Sequence, residues 1–461
     1  MDYDILVLGG GIGGYVAAIR AAKGGAKVAL VEKNHIGGTC LNYGCIPTKS
    51  LIRSAEVLDT VKNASDFGVK ATGAELDLES VIKRKDNIVK MLTEGVEGLL
   101  NANQITIYNS MGNVKDARTV EVKDSSGKSL DLTTNKLIIA TGSVTTIPNI
   151  PGVDLPGVIT SKEVLNITDL PEEVCIVGGG VIGLEFAYIL NAFGAKVTVL
   201  ELLPEILPKA ERELVNYLLD SFREKGISIL TKAQVNAIEE SEPGMNVMFY
   251  HNDEEKTLQA GLVLMAVGRE PNLAGLDALN LKRNSSKGII VNSSMETSLP
   301  GVYAIGDVTG GVQLAHVATA QGIVAAENAL GEEAKFNSNS IPYCIYSKPE
   351  MAWVGLTEEE AKEKYGRIKV GRFPFTGSGK AMVYGDTSGL VKMIIDEKYG
   401  EIVGLHLIGP EATNMIAEGV LARMLEATVI ELAATIHPHP TLSEVLMEAA
   451  HMTLDQGIHY I

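Results

Sequence analysis

Cysteine is scarce, with four in 461 residues. That excludes a disulfide-built scaffold and favours a reducing compartment. Basic residues are also in short supply, 40 Lys and Arg against 57 Asp and Glu. The formal charge of −17 repels polyphosphate backbones and anionic lipid, which argues against nucleic-acid and membrane partners. Charged residues are only 21% of the chain and hydrophobic ones 46%, which excludes a disordered polymer. Long apolar runs are missing as well. The most apolar stretch, residues 174–190, is interrupted by Gly178-Gly179-Gly180 and by Glu185, so a membrane span is not expected. A strand reading at Ile5–Leu8 leaves no room for a signal peptide, and the expected location is cytoplasmic. Aromatics are 5% and glycines number 48, a balance suited to an α/β protein with many tight strand-to-helix turns. The length allows about two to four domains.

What the chain does have is a repeated βαβ unit. A strand reading at Ile5–Leu8 runs into Gly9-x-Gly11-x-x-Gly14, a helix over residues 15–23, and a strand Val28–Val31 ending at Glu32. Glycines there let the backbone turn tightly and approach a pyrophosphate, the helix N-terminus faces its charge, and the acid accepts a ribose hydroxyl. The second copy reads Val174–Val177, Gly178-x-Gly180-x-x-Gly183, a helix over 184–193, and Val197–Leu200 ending at Glu201. Gly178 follows Gly9, and Glu201 follows Glu32, by the same 169 positions. Two dinucleotide sites in one chain imply two cofactors with electron transfer between them. Glu201 disfavours a 2′-phosphate, and no Arg or Lys occurs from Leu202 through Pro208, so NAD is expected over NADP.

Between the units stands GGTCLNYGCIPTKS, residues 37–50, with Cys40 and Cys45. On a regular helix these two are about 140° apart, so a disulfide requires a distorted first turn. Gly44 provides the freedom for that distortion. A strained, accessible pair is redox-active more often than structural. Two buried thiols or metal ligands are the alternatives, the latter weakened because only His35 stands nearby. Cys175 and Cys344 read as core or interface packing. Residues 51–100 read as mostly helical, with apolar spacing at Leu51, Ala55 and Leu58 and again at Ile88, Met91 and Leu92. Pro148, Pro151 and Pro156 mark a boundary. A return crossing is expected at Val267-Gly268-Arg269, then a buried strand over 302–307 ending in Asp307 and a helix over 316–330. From about residue 340 strands (389–396, 402–408) and long helices (411–426, 443–454) alternate around HPHPTLSE, residues 437–444.

Taken together, the two glycine turns, GGTCLNYGCIPTKS, IIATGS (138–143), VGREPN, VYAIGDV and HPHPTLSE resemble the flavin-dependent pyridine nucleotide–disulfide oxidoreductases over essentially the whole chain. GGYVAAIRAA, GVIGLE and the HxHPTLSE ending are most similar to the branch that oxidises dihydrolipoamide. The resemblance implies two Rossmann-like α/β domains and a C-terminal α+β dimerisation domain, divided as 1–147 (FAD), 148–270 (NAD), 271–339 (FAD, return) and 340–461 (dimerisation).

It also implies roles. FAD would meet Gly9, Gly11, Gly14, Glu32 and Lys33, then Gly38, Thr39 and Lys49. Thr141, Gly142, Ser143, Arg269, Gly306, Asp307 and Ala315 would complete its contacts, with Asp307 on the ribityl chain. NAD would meet Gly178, Gly180, Val181, Ile182, Gly183, Glu201 and Gly268. Cys45 would face flavin and Cys40 the substrate. Lys49 would pair with Glu185, a carboxylate on an otherwise apolar helix. His439, fixed between Pro438 and Pro440 and oriented by Glu444, would be the acid–base acting on the other subunit's disulfide. His437 reads as a structural or rim histidine.

Ile12 and Pro204 depart from the family pattern, the latter placing the fine geometry after Glu201 in doubt. The partner implied is a lipoyl-bearing protein of a 2-oxo acid dehydrogenase or glycine cleavage complex. No metal is implied. A glutathione-type reductase is opposed by Glu201 and by Val181, where those enzymes commonly carry tyrosine. The absence of cysteine near residue 461 opposes reductases with C-terminal redox groups. A redox-silent flavoprotein subunit is opposed by the complete set of Cys40, Cys45, Lys49, Glu185, His439 and Glu444.

Overall fold

A computed structural model describes residues 1–124 and 126–460. The chain packs as two compact units: Met1–Ser50 with Glu79–Ile147 and Gly268–Asn337, and Leu51–Leu78 with Pro148–Val267 and Ser338–Ile461.

In the first unit, valine- and isoleucine-rich segments buried on both faces build a parallel sheet. Tyr3–Leu8 lies between Val28–Glu32 and the end of Ser129–Ile139, with Thr106–Asn109 beyond. Ser129–Ile139 is shared. Its last residues pair in parallel with Tyr3–Leu8 and Val302–Ala304, while its first pair antiparallel with Thr119–Lys123. The expected buried strand over 302–307 is thus shorter, because the chain turns into a 3₁₀ segment at Gly306–Thr309. Helices Ile12–Lys23 and Ala315–Leu330 approach so closely that a Cβ on Gly322 would stand 2.5 Å from the Gly13 carbonyl oxygen. Only glycine allows that backbone contact.

Helix Leu78–Ala102 corrects one expectation. Met91 and Leu92 are exposed (71% and 40%), whereas Lys85, Val96 and Leu100 are buried. The helix carries apolar residues on more than one face, and the face that meets the core is the one through Val96 and Leu100. Leu51, Ala55 and Leu58 are buried as expected.

The second unit holds a five-stranded parallel sheet in the order Ser228–Leu230, Lys196–Leu200, Glu173–Val177, Leu262–Met265, Val158–Thr160. Three antiparallel strands covering 233–260 and a five-stranded antiparallel sheet, Pro342–Ile345 through Ile402–Gly409, complete it. Cys175 is buried in Glu173–Val177 and Cys344 is half-buried in Pro342–Ile345. No helix among the described residues is long and apolar enough to cross a membrane.

The antiparallel sheet buries a charge cluster. The Lys392 ammonium stands 2.9 Å from Glu211, 2.9 Å from Glu213 and 2.8 Å from Glu358, since a lone ammonium could not be kept there. Across the strand from Lys392 lies His406, fully buried, with Nε2 2.9 Å from the Leu356 carbonyl and Nδ1 without a partner. Burial pushes His406 down from its ordinary 6.5 to about 4. The imidazole is therefore neutral in the fold where the unfolded chain would already hold a proton. Stability contributed by the neutral ring is complete above pH 6.5 and is lost as pH falls from 6.5 toward 4. The loss should reach about 3 kcal/mol. Thermal midpoints across this window should fall, and His406→Asn should flatten the slope by about one proton; an unchanged slope would contradict the assignment.

Candidate active site

The redox segment is built by two helices with a break between them. Gly37, at φ +90°, precedes helix Gly38–Tyr43, Gly44 leaves helical geometry (φ −141°, ψ −110°), and Cys45 opens helix Cys45–Lys62. The anticipated distortion is this interruption. It carries Cys40 on the first helix to within hydrogen-bonding reach of Cys45. Both are present as thiols.

The two sulfurs are unequal. The hydrogen bond with Cys45, reinforced by burial, pushes Cys40 far above the ordinary thiol range, so Cys40 keeps its proton. Cys45 stands at the N-terminus of an 18-residue helix, where the backbone dipole favours a thiolate. Burial lowers Arg269 from its ordinary value, with Asp307 and then Cys45 acting against that shift. Its guanidinium donates to Ser143 Oγ and the Ser143 carbonyl at 2.8 Å, and to Thr39 Oγ1 at 3.4 Å. Ser143 Oγ in turn donates to Asp307 Oδ2 at 2.5 Å. Thr39, Ser143, Arg269 and Asp307 thus form one network beside the cysteine pair. Two contributors were missed from sequence. Tyr15 is raised by burial and then by Cys40, and buried Gln321 accepts the Gly306 N–H at 2.7 Å, fixing the turn that bears Asp307. Lone polar residues on helices carry no signal of such roles.

The glycine turns repeat atom for atom. Glu32 Oε2 accepts the Gly10 N–H at 2.7 Å, and Glu201 Oε2 the Gly179 N–H at 2.6 Å. Their other oxygens accept from Asn34 and Leu203, each at 2.7 Å. Each carboxylate oxygen retains lone-pair capacity for a ribose hydroxyl.

The three glycines of each turn have different reasons to be glycine. Gly9 and Gly178 have φ +110° and +114° and press on the Ala140 and Ala266 carbonyls. A Cβ on Gly14 or Gly183 would stand 1.9 or 2.0 Å from the first glycine's oxygen. Gly11 is different, with its nearest neighbour at 3.9 Å, and Gly180 has none within 4 Å. Their backbones (φ −65° and −80°) suit any residue. The protein's own packing does not require glycine there, so the open space fits a dinucleotide pyrophosphate. Gly11→Ala should therefore fold with an unchanged thermal midpoint for the flavin-free protein, yet hold FAD at least about tenfold more weakly, one packing contact's worth. Gly180→Ala should do the same to NAD alone. Equal FAD affinity in Gly11→Ala and wild type would contradict this.

Among the other expected residues, Thr141 donates to the Asn272 carbonyl at 2.7 Å, and Gly142 and Gly268 have nothing within 4 Å of a Cβ. Ala315 and Val181 open their helices, with Ile182 next in the second. Lys33 is exposed, one residue after Glu32. Gly38 would clash with Gly11 if it bore a side chain, at 2.6 Å. Lys49 lies in the first unit and adds to the field at Cys40. Glu185, 3% exposed in the second unit, accepts the Tyr346 N–H at 3.1 Å.

The histidine motif lies in the second unit. His439 Nδ1 is 2.8 Å from Glu444 Oε1. A carboxylate only accepts, so Nδ1 carries the proton and Nε2 is left as the base. The His439 side chain is 81% exposed. Partial burial raises Glu444, but the Thr441 N–H and His439 outweigh it and hold the carboxyl below its ordinary value. His437 is buried against Glu418.

Residues 3–322 match the pyridine nucleotide-disulphide oxidoreductase family, and 341–450 its dimerisation domain. A protein of Bacillus subtilis named dihydrolipoyl dehydrogenase is 43% identical over 100% of this chain and 99% of its own length. One of the same name from Thermus scotoductus is 41% identical, covering 100% and 99%. The crystal structure of LpdA from Mycobacterium tuberculosis superposes with a TM-score of 0.91 at 25% identity, covering 97% of this chain and 99% of that one. With its paired glycine turns, its adjoining cysteines and these full-length matches, the chain belongs to the pyridine nucleotide-disulphide oxidoreductase family.

Proposed function

We propose that the protein oxidises protein-bound dihydrolipoamide to lipoamide with NAD⁺, using FAD and a Cys40–Cys45 disulfide. The observation that carries this reading is the pair of hydrogen-bonded, electrostatically unequal thiols at the break between two helices. The fold class, the family and the names of the full-length relatives support it. We assign FAD to 1–147 and 271–339, NAD to 148–270 and dimerisation to 340–461. His439 lies in the segment that matches the dimerisation domain and has an exposed ring, which supports a base supplied by a second copy. A cytoplasmic location and a lipoyl-bearing protein of a 2-oxo acid dehydrogenase or glycine cleavage complex complete the reading.

The chain's own residues account for the thiol chemistry. His439 Nε2 takes a proton from one substrate thiol, because a thiolate is the nucleophile. That sulfur attacks Cys40, the S–S bond breaks, and Cys45 leaves as the thiolate its helix terminus and Arg269 stabilise. Once His439 has passed that proton to solvent, it takes the proton of the second substrate thiol, whose sulfur closes the lipoamide disulfide and releases Cys40, and Cys40 then takes this proton from His439. FAD, when bound, supplies two-electron transfer from the thiol pair to NAD⁺, and the cysteine disulfide is restored.

Steady-state NAD⁺ reduction by dihydrolipoamide, set against NADPH oxidation by glutathione disulfide, tests the assignment. The first rate should exceed the second by more than about a hundredfold, and the reverse order would contradict it. Nucleotide choice tests Glu201. Glu201→Ala should reduce the preference for NAD⁺ over NADP⁺ by about tenfold or more, the scale of one charged hydrogen bond. The ratio is the readout, because Glu201 also anchors its own turn. An unchanged ratio would count against the role.

A further inference from the structure

The motif HPHP contains two histidines, and both are paired with glutamate. His439 is open, with Nδ1 on Glu444 and the ring exposed. His437 is closed. Its Nδ1 is 3.1 Å from the Thr435 carbonyl and its Nε2 is 3.0 Å from Glu418 Oε1, with the side chain 5% exposed. A carbonyl oxygen and an ionised carboxylate can only accept. A neutral imidazole has one N–H to give, so both contacts are made only when both nitrogens are protonated. A cation so enclosed is tolerated because each of its donors is met and a carboxylate balances it.

We propose that His437 is a positioning residue, a buried imidazolium that ties the loop 435–441 to helix Ala412–Met424 and thereby aims His439. Glu418 lies on that helix and Glu444 on helix Glu444–Thr453, so the loop is held at two points with His439 between them. Thr441 braces the same loop, its hydroxyl donating to the Pro438 carbonyl at 2.8 Å and its N–H to Glu444 Oε2 at 2.7 Å. Glu418 meets His437 directly, and the Glu444 carboxylate, paired with His439, feels the His437 charge. Removing that cation frees the loop and makes the dyad hold its proton more tightly.

The inference rests on the proposed dihydrolipoamide chemistry and is tested in the holoenzyme. kcat and KM for dihydrolipoamide are measured from about pH 5.5 to 9 in His437→Gln, Glu418→Gln and the double variant, with bound flavin and thermal midpoint recorded. The expected result is kcat lowered by about ten- to a hundredfold, the cost of a misplaced base, with KM within about twofold. In His437→Gln the acid limb of the profile should move to higher pH, and the double variant should be no worse than that single one. A purely structural role would lower both parameters, or the flavin content, and leave the profile in place. That pattern overturns the proposal, as do wild-type kinetics in His437→Gln or additive losses in the double variant. If His437→Gln fails to bind flavin, Glu418→Gln reads the same clamp from its more exposed partner. A wild-type enzyme inactive toward dihydrolipoamide overturns the functional assignment instead.

Discussion

Serine at position 40 or 45 is expected to lower dihydrolipoamide oxidation by more than about a thousandfold, because a nucleophilic pair acts as a unit. The two variants should nonetheless differ. With Cys40→Ser, Cys45 keeps its place at the start of its 18-residue helix, beside Arg269, and remains a thiolate. With Cys45→Ser, the hydroxyl at position 45 does not ionise, so no thiolate stands at the helix terminus and only the half-buried, protonated Cys40 thiol is left. The flavin spectrum of the resting Cys40→Ser enzyme should therefore show long-wavelength absorption that bleaches on acidification, and the Cys45→Ser spectrum should not. Both variants should still bind FAD, because neither sulfur contributes to the glycine turn. Equal spectra would mean that the inequality of the sulfurs is wrong even if both are essential.

The second large effect concerns the base. His439→Gln removes the imidazole placed to take a proton at the end of HPHP, and kcat should fall by about a hundred- to ten-thousandfold, the range for general acid–base catalysis. Glu444→Gln is milder. It weakens the 2.8 Å contact to Nδ1 and the 2.7 Å contact from Thr441 without deleting the ring, and a loss of about tenfold to a hundredfold is expected. In both variants, rates should recover at higher pH, where the substrate thiol ionises unaided. A His439→Gln enzyme with a wild-type rate at neutral pH would assign the proton transfer elsewhere.

Much of this could be read from the residue string, for a physical reason. Glycine at Gly9 is dictated by its φ of +110° and at Gly14 by a contact of 1.9 Å with the Gly9 oxygen, both demands of the turn itself, and at Gly178 and Gly183 the same constraints recur. Such local demands leave a periodic mark, and the 169-residue repeat records it down to the Glu32 and Glu201 hydrogen bonds. The break at Gly44 is legible likewise, because five positions on an unbroken helix cannot bring two sulfurs together. Long-range choices leave no such mark. Helix Leu78–Ala102 has apolar residues on more than one face, and periodicity alone did not tell that Met91 and Leu92 face outward while Lys85 is buried. Lys392 meets Glu211 across 181 positions of sequence, and His437 meets Glu418 across a helix-to-loop connection. These pairs are set by tertiary packing, so the motif marks His437 as a structural or rim histidine without naming Thr435 and Glu418 as its partners.

Anaerobic reduction of the holoenzyme by NADH, followed by a brief pulse of iodoacetamide and peptide mass spectrometry, tests the central claim most directly. Reduction should release two thiols per FAD, with label entering Cys40 well before Cys45, because bound flavin would shield the Cys45 thiolate while His439 can draw the proton from substrate-facing Cys40. Label divided evenly between the two, or no new thiols on reduction, would contradict a working Cys40–Cys45 pair with distinct substrate-facing and flavin-facing ends.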